Sequence, residues 1–339
     1  MVRVLDGPEQ SSSSVLPIVA ELIASQPSSI DRAIIALNQC DVVLVQHEYG
    51  LYGGRDGDDV LKVLDGIRVP TIAILHTVLS APSNHQIQVL NAVIAHVDRL
   101  VVMTSRAEAT LRRVNDVGQT PVSVIPHGAA VVRSTSQRLT DQRPIVLTWG
   151  LIGPGKGIQW VIDAMVHLKD LDPAPLYIIA GRTHPKVLVY EGDVYRQSLI
   201  SQVEANELGG MVQFDNSYRD QSSLKALISS ADVVVLPYDS LDQATSGVLV
   251  DAIAAGRPVI ATAFPHAVEL LGSGAGIVVA HGDPVALSNA LRRVITSSKV
   301  ADAMAAEARR IAPSLGWDAV GDQYRELTNQ LLETVTVGA

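Results

Sequence analysis

The sequence predicts an α/β protein made of two doubly wound domains, each built on a parallel sheet. Ten short apolar, β-branched segments alternate with longer helical patterns from one end of the chain to the other. Apolar strands separated by helices are typical of parallel sheets with both faces covered. A polar segment at residues 130–143 divides the 339 residues into halves of similar size, and this length also favours two domains.

The predicted strands each end where a turn or a helical pattern begins. They cover residues 42–45, 71–75, 99–103 and 122–125 in the first half, and residues 145–148, 176–180, 212–214, 233–236, 259–261 and 276–279 in the second. A last helical pattern covers residues 317–332. Ligands of open parallel sheets bind beyond the carboxyl ends of the strands. The residues that follow these segments are therefore the first candidates for function.

Only the front of the chain departs from this pattern. Residues 2–5 form a short apolar run that leads into Asp6, Gly7, Pro8 and a run of serines. The strand–helix unit that usually opens a doubly wound domain is therefore predicted to be missing or very short. The strand at residues 42–45 would then have an exposed edge, and such edges pair with other chains. Two hypotheses follow: a segment precedes Met1, or a partner subunit, as in a homo-oligomer, covers the edge.

Composition excludes several classes of protein. The net charge of −9 argues against nucleic acid as a partner bound by general charge attraction. Cys40 is the only cysteine, which excludes an intrachain disulfide and cysteine-based metal sites and suits a reducing cytosol. The sequence has no long uninterrupted apolar run, so no integral membrane segment is predicted. We expect a cytoplasmic protein.

The segment TWGLIGPGKGIQWVIDAM, residues 148–165, is close to a nucleotide-binding signature. From Gly150 to Lys156 it reads G-x-x-x-x-G-K, after an apolar strand and before a helical pattern, as in a P-loop. Gly157 stands where a P-loop needs the Ser or Thr that holds Mg²⁺. A plain glycine-rich turn with an exposed lysine is a further interpretation. A helix start with a lysine beside it nevertheless suits a diphosphate, with or without a metal.

A series of motifs then points to a known family. The motifs are AILHTVL, VSVIPHG, GLIGPGKGIQWVIDAM, PLYIIAGRTHP, ADVVVLPY, SGVLVDAIAAGRPVIAT and GIVVAHGDPVALSNAL, in this order. Together they resemble the GT-B, family 4 (group 1), retaining nucleotide-sugar glycosyltransferases, over roughly residues 41–330. The resemblance implies two Rossmann-like domains that face across a cleft. It implies an acceptor domain at residues 1–135, a donor domain at 136–318, and a helix at 319–339 that packs back toward the first domain.

The resemblance also implies a set of donor-site residues. It implies catalytic roles for His76, Lys156 and Gln243, and donor binding by Gly153, Gly155, Lys156, His184, Ser246, Gly247 and Asp251. Lys156 would bind the diphosphate and His76 would lie near the donor sugar. Gln243 would face the transferred sugar and Asp251 would bind the ribose. Ser246 and Gly247 open a helix, so that their amides would point at the phosphates.

The same resemblance implies the substrates. The donor would be a nucleoside diphosphate sugar, and the acceptor a hydroxyl on a sugar, a lipid-linked sugar or a small polyol. His47, Glu48, Gly53 and Gly54 are candidates for acceptor binding, although a polar loop with turn glycines explains them equally well. No cofactor and no metal are expected, and the acidic run at residues 56–59 is predicted to be solvated.

Three departures from the family pattern keep alternatives open. Leu151 stands where many members carry an arginine that helps the lysine, and Gln243 stands where they carry a glutamate. The short front removes a loop that usually serves the acceptor. A catalytically weak or inactive GT-B protein that binds nucleotide sugars, or a P-loop-like nucleotide-binding protein, therefore remains an alternative to the retaining, metal-independent hexosyltransferase.

The remaining polar residues are predicted to have structural roles. Glu191 and Arg196 are expected to form an exposed ion pair, and His266 to cap its own helix. His127 is expected to shape the loop near the linker, and Glu269 is a modest candidate for the nucleotide site. The other histidines are expected on the surface or in ordinary structural positions: His85, His96, His167 and His281.

Overall fold

The structure is a computed structural model that describes residues 1–5, 7, 17–24, 26–131, 143–217 and 219–338. The chain forms two compact units. The first comprises Met1–Pro126 together with Gly321–Ala339, and the second comprises His127–Val320. All strand pairs of the described residues are parallel, which confirms the α/β prediction. Most of the predicted linker, residues 132–142, lies outside the described residues.

The first unit contains a four-stranded sheet in the order β3-β4-β5-β6 and a separate two-stranded sheet, β1-β2. Its elements are β1 (Val2–Leu5), β2 (Ala20–Ile23), α1 (Pro27–Leu37), β3 (Val43–His47), α2 (Asp59–Leu64), β4 (Thr71–Leu75), α3 (Asn84–Ala95), β5 (Arg99–Val102), α4 (Ser105–Val114) and β6 (Val122–Val124). Among the described residues, β3 pairs only with β4. In this part of the chain the predicted edge of β3 is thus unpaired, while the homo-oligomer stays a prediction.

The front of the chain corrects one expectation. Residues 2–5 do form a strand, and it pairs in parallel with β2, which the sequence did not predict. Arg3 lies opposite Glu21 in this register, and the two side chains form an ion pair. A charged residue in each of two short segments hides the strand signal, because the charges are neutralised only once the strands pair. The part of the opening unit at residues 8–16 lies outside the described residues.

The second unit is built on a six-stranded sheet in the order β12-β11-β10-β7-β8-β9. Its elements are β7 (Ile145–Trp149), α5 (Ile158–Val166), β8 (Leu176–Ala180), α6 (Pro185–Glu191), α7 (Val194–Ala205), β9 (Val212–Asp215), α8 (Gln221–Ser230), β10 (Val233–Leu236), α9 (Gly247–Ala254), β11 (Val259–Thr262), α10 (Pro265–Leu271), β12 (Gly276–Val279), α11 (Pro284–Thr296) and α12 (Ser298–Ile311). All ten predicted strands are thus present, with ends that agree to within two residues.

The strand order of the second unit reverses once, between β9 and β10. From β7 the chain builds outward through β8 and β9, then returns to place β10 on the other side of β7. Such a reversal leaves a crevice at the carboxyl ends of the two central strands. The turn after β7 and the segment after β10 therefore meet at the switch point of the sheet.

Both faces of this sheet are buried. Val146, Val233 and Val235 pack into one apolar cluster with α5, while Leu147 and Val234, on the opposite face, pack into another with α9. Side chains of a strand alternate between faces, so the central strands are apolar on both faces, except for Thr148 of β7, whose hydroxyl donates to the Val235 oxygen at 2.6 Å. The last helix, α13 (Trp317–Gly338), begins in the second unit and continues into residues of the first. No helix of the described residues is long and apolar enough to cross a membrane.

Candidate functional site

The turn between β7 and α5 depends on glycine. Gly150, Gly155 and Gly157 have φ values of 127°, 82° and 65°, a region that favours glycine. A Cβ atom on Gly157 would lie 1.7 Å from the carbonyl oxygen of Pro237, directly after β10. The backbone amide of Asp239 also donates to the Gly155 oxygen at 3.0 Å. The turn is therefore fastened to the end of β10, and a P-loop Ser or Thr does not fit at position 157.

Lys156 projects from this turn onto an aromatic ring. Its ammonium lies 4.5 Å from the centroid of the Tyr238 ring, close enough for a cation–π interaction. Burial lowers the pKa of Lys156. No carboxylate of the described residues forms an ion pair with it. A half-buried cation without a carboxylate partner is well suited to receive an anionic ligand.

The amino end of α9 lies beside the same tyrosine. Burial raises the pKa of Tyr238 to about 12, and the nearby Ser246 side chain opposes this rise. Ser246 is the N-cap of α9, with its Oγ accepting from the Leu249 amide at 3.2 Å. The amides of Gly247 and Val248, the first two of the helix, have no intrahelical partner. Lys156 and these amides form what we call the anion site, because free amides and the helix dipole attract anions.

His266 holds the cap residue in place. Its Nδ1 accepts a hydrogen bond from the Ser246 amide at 2.9 Å, and its own amide donates to the Gln243 oxygen at 3.3 Å. Burial lowers the pKa of His266 to about 4, so the ring is neutral near pH 7. The expectation that His266 caps its own helix is wrong, because Phe264 is the N-cap of α10. The partner lies 20 residues away, where no local pattern reveals it.

Gln243 and Asp251, the two positions of the family's acidic pair, have different surroundings. The Gln243 Nε2 donates to the Thr245 oxygen at 2.5 Å, so the amide folds back onto its own loop. Asp251 lies four residues after Gly247 and thus on the same face of α9. Burial raises the pKa of Asp251, while the charges of His127 and Lys225 lower it. The roles of Gln243 and Asp251 at the sugar and the ribose stay predictions.

His184 and Gly153 are brought together next to the turn. His184 is the N-cap of α6, and its Nδ1 accepts from the Lys186 amide at 3.1 Å. A Cβ atom on Gly153 would lie 3.2 Å from a methyl group of Val187 and 3.8 Å from Cβ of His184. The absence of a side chain at Gly153 thus lets the turn pack against α6. This places His184 beside the glycine turn, and its donor role stays a prediction.

Arg196 lies in a different environment from the one that the sequence predicts. It was expected to form an exposed ion pair with Glu191, but it is only 4% exposed. Its guanidinium donates to the Asn216 side chain, to the Gly181 oxygen at 2.5 Å and to the Thr183 hydroxyl at 3.1 Å. These groups follow β8 and β9, so Arg196 ties the two strand ends together. The helical pattern could not show this, because the partners belong to other elements.

In the first unit, polar side chains gather where β3 and β4 end; we call them the strand-end cluster. The His76 Nε2 lies 2.6 Å from the Gln46 Oε1, and the Thr77 hydroxyl donates to Glu48 at 2.5 Å. His47, expected directly after the strand, is its last residue and is 1% exposed. Burial, followed by the charge of His76, lowers the pKa of His47 to about 4. Its Nδ1 has no hydrogen-bond partner among the described residues.

The loop after β3 contains the two candidate glycines. A Cβ atom on Gly53 would lie 2.5 Å from a carboxylate oxygen of Asp59, and one on Gly54 would lie 1.9 Å from a carboxylate oxygen of Asp58. The glycines thus let the loop close over the start of α2. The acceptor roles of His47, Glu48, Gly53 and Gly54 stay predictions.

The acidic run in this loop is not simply solvated, which corrects that expectation. The His85 Nδ1 lies 2.8 Å from the Asp56 carboxylate, and the Nε2 lies 3.7 Å from that of Asp58. His85 therefore does have acidic partners, 29 residues earlier in the chain for Asp56. Within the described ranges, no three His, Cys, Asp or Glu residues are grouped so as to hold a metal ion.

Two sequence comparisons relate the chain to known proteins. Residues 134–311, just over half of the chain, match the family described as Glycosyl transferases group 1. No curated protein sequence matches the chain significantly.

Several solved structures share the fold. Sucrose-phosphate synthase from Thermosynechococcus elongatus has a TM-score of 0.77 at 21% identity, covering 98% of this chain and 89% of that one. Anabaena HepE in complex with UDP has a TM-score of 0.74 at 17% identity, covering 91% and 86%. The pneumococcal O-GlcNAc transferase GtfA, in complex with UDP and GlcNAc, has a TM-score of 0.69 at 15% identity, covering 90% and 60%. All three likenesses concern the fold alone.

Proposed function

The chain belongs to the glycosyl transferases of group 1 and has the GT-B fold, and from this premise we propose that it is a retaining, metal-independent hexosyltransferase. It moves a hexosyl group from a nucleoside diphosphate sugar to a hydroxyl acceptor. The observation that carries the proposal is the anion site: Lys156 on the Tyr238 ring, next to the first amides of α9. It lies at the switch point of the sheet, where ligands of such folds bind.

The chemistry of the transfer explains why an anion site is central. The barrier lies in the departure of the nucleoside diphosphate while positive charge grows on the anomeric carbon. Groups that stabilise the leaving diphosphate in a water-poor site lower this barrier. Lys156 and the amides of Gly247 and Val248 supply fixed positive charge where a metal ion would otherwise do so. Asp251, on the same face of α9, is the proposed ligand of the ribose hydroxyls.

The first unit is the proposed acceptor domain. Its strand-end cluster presents the side chains of His76, Thr77 and Glu48 at the carboxyl ends of two parallel strands. Hydroxyl acceptors such as a sugar, a lipid-linked sugar or a small polyol need hydrogen-bonding groups of this kind. His76 is proposed to act near the donor sugar. A cytoplasmic location and the absence of a cofactor also stay predictions.

One alternative has its own support. An inactive protein that binds nucleotide sugars would keep Lys156 and Asp251 but need no catalytic help at the sugar. Leu151 in place of an arginine and the amide of Gln243 folded onto the Thr245 oxygen both favour it. The P-loop alternative is disfavoured, since a Cβ atom at position 157 would lie 1.7 Å from the Pro237 oxygen.

A donor screen separates these functions. Thermal shift and calorimetry with UDP-, GDP- and ADP-glucose, each with Mg²⁺ and with EDTA, identify the nucleotide; UDP-glucose comes first because Anabaena HepE was solved with it. A ligand at about 100 times its Kd stabilises the protein by about 2.7 kcal/mol. Transfer to a panel of sugars and polyols, with the anomeric configuration read by NMR, then tests catalysis. Tight binding without transfer or donor hydrolysis supports the inactive binder, and an inverted product contradicts the retaining mechanism.

A further inference from the structure

The anion site contains one lysine, yet a nucleoside diphosphate sugar carries a negative charge on each phosphate. Leu151, which follows the first glycine of the turn, is 47% exposed and supplies no charge. Gly150 lies against α9, since a Cβ atom there would be 4.0 Å from a methyl group of Val248. Position 151 is thus next to the start of the helix, where a second cation would serve the diphosphate. The structure offers another residue for that task.

His127 lies at the amino end of α9. A Cβ atom on Gly247 would be 3.2 Å from both Cε1 and Nε2 of the His127 ring. This ring is half-buried, and the centroid of the Trp317 ring lies 5.8 Å from it. Its Nδ1–H donates to the Gly128 carbonyl oxygen at 2.7 Å, because a carbonyl can only accept. The other nitrogen, Nε2, therefore faces the helix start with its lone pair in the neutral form.

We propose that His127 takes up a proton at Nε2 when a nucleoside diphosphate sugar binds and donates it in a hydrogen bond to a phosphate oxygen. The proton comes from solvent, and the Nδ1–H bond to Gly128 is kept. His127 thereby becomes the second cation of the anion site. It takes the place of the arginine that many family members carry at the position of Leu151. The inference rests on the proposed function, because it needs a diphosphate at this site.

The charges around His127 couple the binding of the diphosphate to the uptake of a proton by the ring. The positive end of the α9 dipole and the Asp251 carboxylate, which interacts electrostatically with the His127 ring, place charges of opposite sign beside this ring. His266 also interacts with His127, and it stays neutral because burial lowers its pKa to about 4. An arriving diphosphate tips this balance, since a nearby anion favours the protonated imidazole. Gly247 permits the close approach, because any side chain there would crowd the ring.

Calorimetry on the whole chain tests the inference with UDP-glucose as the first probe, or with GDP- or ADP-glucose if that donor binds instead. Sugar-linked diphosphates are preferred to free UDP, whose terminal phosphate itself titrates. Titrations in two buffers of different ionisation enthalpy report proton uptake, and titrations at pH 6, 7 and 8 report affinity. We expect net proton uptake and an affinity that rises about tenfold from pH 8 to pH 6, because an anion binds the protonated imidazole more tightly.

Four variants test whether His127 is the group that takes up the proton. His127→Asn keeps a donor for the Gly128 oxygen but cannot titrate, so binding should weaken about tenfold at pH 6 and proton uptake should vanish. Leu151→Arg should tighten binding, and the double variant should recover affinity without regaining the pH dependence. His167→Asn removes an exposed histidine at the end of α5 and should change nothing.

The outcomes separate the two proposals. If a nucleotide sugar binds and proton uptake persists in His127→Asn, the inference is wrong and the proposed function stands. If no nucleotide sugar binds the wild-type chain, the proposed function fails and the inference fails with it. If His127→Asn unfolds, the single variant Leu151→Arg tests the inference about His127 instead. A new arginine that tightens binding and lowers proton uptake supports His127, and one that leaves proton uptake unchanged contradicts it.

Discussion

The anion site of the second unit and the strand-end cluster of the first are built in different ways. The anion site is mostly backbone: glycines with positive φ, the free amides of α9, and one lysine held on Tyr238. The strand-end cluster consists of side chains that bind one another across β3 and β4, such as His76 with Gln46. A backbone site is fixed by the fold and leaves a glycine pattern in the sequence, whereas a side-chain cluster exists only once its strands are paired.

Each unit also has one deeply buried histidine. The two histidines differ in their hydrogen bonding. Burial lowers the pKa of both His47 and His266 to about 4. His266 accepts a hydrogen bond from the Ser246 amide, so it supports the backbone of the anion site. The Nδ1 of His47 has no partner among the described residues. The comparison therefore predicts that the two histidines contribute differently to stability.

The largest effect is expected at Gly157. Gly157→Ala would place a Cβ atom 1.7 Å from the Pro237 oxygen, at a φ of 65°. Strain of this kind typically costs 1–3 kcal/mol and the backbone clash adds to it, so we expect a loss of about 3 kcal/mol or more in unfolding free energy. Urea denaturation measures it, and nucleotide binding should be lost as well.

Gly155→Ala is the matched control. Gly155 has a φ of 82°, but no atom lies within 4 Å of a Cβ built there. We therefore expect only the backbone strain, about 1 kcal/mol. Equal losses for both variants would contradict the claim that the turn is fastened to the end of β10.

Acid should destabilise both units over the same range of pH. The pKa of His47 and of His266 is about 4 in the folded chain and about 6.5 when unfolded. The unfolded chain therefore binds more protons between these values, so stability is full above about pH 6.5 and falls as the pH drops toward 4. Each histidine should contribute about 2–3 kcal/mol to this loss.

Denaturation curves at pH 7, 5.5 and 4.5 measure the acid effect, and the variants His47→Leu and His266→Leu assign it. Each variant should flatten the pH dependence of stability. Stability that stays constant from pH 7 to pH 4.5 in the wild-type chain would show that these rings are not held neutral by burial.

A smaller difference between the two histidines is expected at pH 7. His266→Leu leaves the Ser246 amide without its acceptor in a buried position, which should cost about 1–3 kcal/mol. His47→Leu removes no side-chain hydrogen bond at Nδ1 and should change stability by less than about 1 kcal/mol. Thermal and urea denaturation compare the variants, and a larger loss for His47→Leu would reverse the conclusion drawn from the two regions.

The sequence predicted the features that depend on local pattern. Ten of the twelve described strands follow from apolar, β-branched runs, and the parallel sheets from their alternation with helices. The turn at Lys156 and the helix start at Ser246 follow from glycine spacing and a serine cap. These signals lie within a few residues of one another, and this is why they could be found without the structure.

The sequence missed the features whose partners are distant along the chain. Arg3 of β1 neutralises the charge of Glu21 in β2, and His85 of α3 lies against the carboxylate of Asp56 in the loop before α2. Arg196 looked like a surface residue because its helix gives no sign that polar groups following β8 and β9 surround it. His266 was assigned to its own helix for the same reason. Long-range pairs of this kind become visible only when the strand order is known.

Calorimetric titration of UDP into the wild-type chain and the Lys156→Ala variant, with Mg²⁺ and with EDTA, tests the central claim most directly. The account predicts metal-independent binding that Lys156→Ala weakens by about 1.5–3 kcal/mol, the loss of a charge-assisted hydrogen bond, while the exposed control Lys186→Ala leaves it unchanged. GDP and ADP are titrated in the same way if UDP does not bind. Tight binding that requires Mg²⁺ and ignores Lys156 would contradict the diphosphate site.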